Sequence, residues 1–69
     1  MTRRFDIKDE LDGGINTQYE SLLQDFFELL RRADIKLTDE EFISIVNLQP
    51  SQSCEVKIPD GNLTITRIS

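Results

Sequence analysis

The sequence predicts an α+β domain: a two-helix hairpin packed on a C-terminal antiparallel β-hairpin, with an N-terminal segment that can add a third strand. Three observations carry this. Two Thr-x-x-Glu helix starts stand at Thr17-Gln18-Tyr19-Glu20 and Thr38-Asp39-Glu40-Glu41. A broad apolar arc recurs at helical spacing behind the first of them. Two alternating runs near the C-terminus flank Asp60-Gly61, a strong short-range hairpin signal.

The first helix is expected from Gln18 to about Ala33. Thr17 and Glu20 have the spacing of a capping box, in which the hydroxyl accepts from the Glu20 amide and the carboxylate reaches back. Tyr19, Leu22, Leu23, Phe26, Phe27, Leu29, Leu30 and Ala33 follow. At about 100° per residue they fall within one arc of roughly 160°, with Phe27 and Leu29 at its two edges. Glu28 and Arg32 are spaced as a surface i,i+4 pair, and Arg31 and Arg32 complement the carbonyl end of the dipole.

The second helix is expected from Asp39 to about Asn47. Thr38 and Glu41 form its capping box, and Leu37 and Phe42 occupy the positions of a hydrophobic staple. Asp39, Glu40 and Glu41 put negative charge on the first turn. The run Phe42-Ile43-Ser44-Ile45-Val46 has strand-like composition, and the cap decides for helix. Pro50 disfavours α geometry at Gln49, so the helix ends by Asn47 or Leu48. The short Asp34-Ile35-Lys36 link makes the two helices neighbours.

Cys54–Ile58 and Leu63–Ile68 supply the hairpin strands. A type I′ turn on Asp60-Gly61 places Ile58 opposite Leu63, Val56 opposite Ile65 and Cys54 opposite Arg67. Val56, Ile58, Leu63 and Ile65 then share one face, and Glu55, Lys57, Thr64 and Thr66 the other.

Residues 1–16 read as an N-terminal arm or edge strand and 17–69 as the domain. Arg3-Arg4-Phe5-Asp6-Ile7-Lys8 alternates, with Phe5 and Ile7 on one side, while its charges suit a frayed tail equally well. Gly13-Gly14 breaks the segment before Thr17.

Composition narrows the functional classes. The chain has 69 residues, eight basic and thirteen acidic, for a net charge of −5. That balance argues against nucleic-acid and anionic-membrane binding, which want basic patches. Arg3, Arg4 and Lys8 cluster, but Asp6, Asp9, Glu10 and Asp12 interleave and cancel their field. There is one cysteine and no histidine. A lone cysteine builds no intramolecular disulfide framework, so a reducing, cytoplasmic setting is expected. Without histidine there is no Ser-His or Cys-His catalysis and no histidine-containing metal site. No apolar run approaches the ~18 residues of a membrane span, and no secretory signal is evident.

No residue stands out as catalytic, metal-ligating or cofactor-binding. Asp34 with Asp39-Glu40-Glu41 resembles the exiting helix of an EF-hand, yet the ligand loop that would precede it is missing. Glu20-Ser21-Leu22 and the later Ile35–Phe42 stretch vaguely resemble the middle of an acyl carrier protein, where a serine after Asp carries phosphopantetheine. Here Glu replaces that Asp, the intervening helix is about two residues short, and a hairpin replaces the last helix. Ser21 is therefore read as a solvated helix residue. Leu37, Glu41, Asn47-Leu48 and Pro50 faintly resemble a segment of Rpb4-type RNA polymerase subunits, a helical family that the hairpin contradicts. Cys54, on an apolar strand face, reads as a small core hydrophobe.

The expected function is a non-enzymatic protein-interaction module, an adaptor, regulator or accessory subunit that uses an apolar helix face and a sheet edge. The motive is the arc, which is wider than a two-stranded hairpin hides. Phe27 and Leu29 on its rim, and Arg3, Phe5 and Ile7 of the arm, are the candidate contacts to a protein partner or a second copy. The alternative is an acidic inhibitor or nucleic-acid mimic that fills a basic groove of an enzyme.

Overall fold

The elements run β-β-α-α-β-β: β1 (Arg3–Asp9), β2 (Ile15–Ser21), α1 (Leu23–Arg32), α2 (Asp39–Val46), β3 (Ser53–Ile58) and β4 (Gly61–Arg67). The structure is a computed structural model, and it describes residues 2–9, 15–59 and 61–69. The α+β class holds, but the sheet has four antiparallel strands in the order β2-β1-β4-β3. β1 lies inside it, between β2 and β4, and β2 takes the edge. The two helices link one sheet edge to the other across a single face.

The expected first helix begins five residues too early. Thr17 and Glu20 do not cap it; they lie in β2 opposite Ile7 and Arg4. Thr17, Tyr19 and Ser21 alternate with Asn16, Gln18 and Glu20, a pleated pattern with β-branched and aromatic residues in it. A cap contributes roughly 0.5–2 kcal/mol. A helix would also satisfy the backbone of these residues, but only the strand pairs the seven residues of β1 as well. Each bond gained there is worth about 0.5–1.5 kcal/mol net, so the strand wins. Leu22 becomes the N-cap, with no side-chain hydrogen bond to the helix. Ser21 is accordingly the last residue of an edge strand, and its hydroxyl is buried without a partner. Residues 10–14, where the Gly13-Gly14 break is expected, lie outside the described residues.

The second helix starts as expected. Thr38 Oγ1 accepts from Glu41 N–H at 3.2 Å, and Glu41 Oε1 accepts from Thr38 N–H at 2.9 Å, completing the capping box. Between the helices the chain makes a Schellman turn. Ile35 N–H donates to Leu30 O at 3.0 Å, Asp34 N–H donates to Arg31 O at 3.1 Å, and Asp34 takes φ of 62°.

The C-terminal hairpin has the expected faces in a different register. Val56 pairs with Leu63, Cys54 with Ile65 and Ile58 with Gly61, so the connection is Pro59-Asp60. The expected turn would have set Pro59 opposite Asn62, and proline has no N–H for the ladder. Gly61 instead opens β4 with φ of 150°, a value closed to other residues. Asp60 itself lies outside the described residues. The slip is two residues, so every side chain keeps its face.

Phe5, Val56, Leu63 and Ile65 from the sheet meet Phe26, Leu30, Ile45 and Leu48 from the helical layer. Phe5 and Phe26 stack at 4.1 Å between ring centroids. The opposite sheet face is polar, with Arg4, Asp6, Lys8, Gln18, Glu20, Glu55, Lys57, Thr64 and Thr66.

Candidate interaction surface

An α-helix turns about 100° per residue, so Ile43 and Ile45 point in nearly opposite directions. Ile45 is fully buried, and Ile43 is left 56% exposed. Phe42, one residue before it, is 47% exposed and stacks on Phe27 of α1 at 4.5 Å and 29° between rings. This stack bridges the outer side of the two helices. On one side of it lies a groove of about 430 Å³ floored by Leu23, Phe27, Phe42 and Val46. On the other lies a recess of about 340 Å³ that reaches Ile35 and Leu37. Arg31 Nη2 donates to both carboxylate oxygens of Glu28, at 2.8 and 3.0 Å, on the groove rim. Glu28 thus pairs with Arg31 rather than with the expected Arg32.

The candidate contact residues part company. Phe27 is half-buried in the groove. Leu29 lies on another flank of α1, above a cleft of about 220 Å³ that it shares with Ile7, Thr17 and Tyr19. Phe5 is 0% exposed, so it is core and meets no partner. Arg3 is held within the chain: its Nη1 donates to Val46 O at 3.2 Å. Phe42 and Ile43 of α2 are exposed apolar residues that the sequence reading missed, as are Leu22 at the start of α1 and Ile68 near the C-terminus. The signal in α2 was legible, because four large apolar residues within five positions, Phe42, Ile43, Ile45 and Val46, cannot all face one core on a helix.

The ends of α2 show how the layers are joined. Its last turn has no basic residue, and Arg3 and Arg67 of the sheet supply the charge. Arg67 Nη1 donates to Leu48 O at 2.8 Å, just beyond the helix. At the other end Glu41 Oε2 accepts from Lys57 N–H of β3 at 3.0 Å. The Thr38 N–H bond, chiefly, holds the Glu41 carboxyl below the usual range, and the Lys57 N–H and ammonium add to this against desolvation.

The Cys54 thiol is half-buried on the helix-facing side. Burial first, then the Glu41 charge, push its pKa up, which suppresses the thiolate that nucleophilic chemistry needs. Among the described residues no three His, Cys, Asp or Glu side chains gather as metal ligands, and no helix is long and apolar enough to cross a membrane. No family model matches the chain, and neither a curated protein nor a solved structure matches it.

Proposed function

We propose that this chain is a small non-enzymatic protein-interaction module, an adaptor, regulator or accessory subunit whose contact surface is the apolar groove between α1 and α2. The observation that carries the reading is Phe42, nearly half exposed where it stacks on Phe27 between two apolar recesses. The width of the helix arc supports it less than the sequence suggests. A four-stranded sheet hides Phe26 and Leu30 fully and leaves Phe27 and Leu29 half-covered. The exposed apolar surface lies on α2 at Phe42 and Ile43, with Leu22 at the start of α1 and Ile68 near the C-terminus adding to it.

The test is capture of partners from native lysate on the immobilised parent chain and on Phe42→Glu, with circular dichroism showing that the variant is folded. An apolar contact keeps the partner through a salt wash, and Phe42→Glu loses it. Equal capture by both forms, released by moderate salt, would refute this reading and favour the acidic-mimic alternative, whose contacts are screened by ions.

A further inference from the structure

The two edges of the sheet differ. On β3 the outward-turned Lys57 amide is taken up by Glu41, so α2 lays a carboxylate on that edge, one means by which proteins blunt it. β2 ends the sheet on the other side, and no strand among the described residues lies beyond it. Arg4 bonds to the β4 side, donating to Ser69 O and accepting from Ile68 N–H. By antiparallel alternation Arg3, Phe5 and Ile7 bond to β2, and their partners Ser21, Tyr19 and Thr17 bond inward. Asn16, Gln18 and Glu20 therefore turn their backbone groups outward.

We propose that β2 is a dimer seam, on which a second copy of this chain lays its own β2 antiparallel about a two-fold axis at Gln18. The proposal goes beyond the groove reading: it uses the free edge of the sheet, away from Phe42, and its partner is a second copy of the chain. The strand is complementary to itself when reversed: Gln18 meets Gln18, Asn16 meets Glu20, and Thr17 meets Tyr19. No like charges oppose one another. Among the described residues Glu20 accepts from Arg4 through Oε2, at 3.3 and 3.2 Å, and Oε1 is the oxygen that can meet the facing Asn16 amide.

A second observation agrees. The flank of α1 above β2 carries Asp25, Leu29 and Arg32 around a recess of about 510 Å³, and Leu29 also borders the cleft containing Thr17 and Tyr19. Neither Asp25 nor Arg32 forms an ion pair among the described residues. The same two-fold sets the α1 helices antiparallel, Leu29 near Leu29, with Asp25 of each copy directed towards Arg32 of the other. Isologous contacts are built this way.

Sedimentation over a concentration series, with amide exchange on the same samples, tests this. The mass should double, and the Asn16, Gln18 and Glu20 amides should gain protection only as it does. Gln18→Pro removes the central donor where its N–H faces outward, so it should give a folded monomer. Gln18→Lys, which sets two ammonium groups face to face, serves if the proline variant unfolds, and the parent's exchange decides if both do. Asp25→Arg should weaken the dimer, and adding Arg32→Asp should restore it. A parent that stays monomeric, with those amides exchanging freely, overturns the proposal. Partner capture through Phe42 would then still stand. A dimer that survives both Gln18 substitutions and is lost in Phe42→Glu also overturns it, because the groove is then the seam.

Discussion

Glu41 is the residue through which one end of α2 holds both itself and the sheet. Its two oxygens accept from Thr38 N–H at 2.9 Å and Lys57 N–H at 3.0 Å, so Glu41→Gln, with one carbonyl oxygen, loses at least one of these bonds. A cap interaction contributes about 0.5–2 kcal/mol, and charge-assisted bonds lie higher when buried. Glu41 is partly exposed, which places the expected cost of Glu41→Gln near 1 kcal/mol. In a domain of this size that lowers Tm by about 4–8 °C. The charge makes the effect depend on pH. The folded pKa is depressed, so the stabilisation is fully present above the unfolded carboxylate value and is lost as pH falls through the folded one. Paired thermal melts of parent and Glu41→Gln, from about pH 6 down to about pH 3, span the ordinary carboxylate range. The gap should be widest at the high end and close towards the low end. A gap that stays constant, or none at the pH 6 end, would show that the carboxylate charge does not tie α2 to β3.

Three further outcomes are expected. Phe26→Ala removes a fully buried ring stacked on Phe5. It should cost about 3–5 kcal/mol and leave little cooperative unfolding in a urea melt. Gly61→Val forces a β-branched residue to φ of 150° and should destabilise by more than 1 kcal/mol or so, read in the same melt. Asp34 and Ser51 take φ of 62° and 73°. Asp34→Gly and Ser51→Gly should each raise stability, by up to about 1 kcal/mol, and a loss would show that the side chain is needed in its turn.

Local signals alone determined the second helix and the faces of the C-terminal hairpin. The cap of α2 joins residues three apart, and strand alternation has a period of two, so neither needs the rest of the molecule. Gly61 was read as a positive-φ residue for the same reason. Tertiary structure decided the rest. Thr17-Gln18-Tyr19-Glu20 satisfies a helix cap and a strand equally well in isolation, and the choice fell to β1, whose backbone groups needed a partner on that side. Arg3 reads as a free surface charge until the fold brings it to the Val46 carbonyl, 43 positions away in the chain. Phe5 sat in a segment read as a tail or an arm, and stacking on Phe26 made it core. In each case the deciding interaction joins residues distant in sequence, and its free energy exists only once the chain has closed on itself.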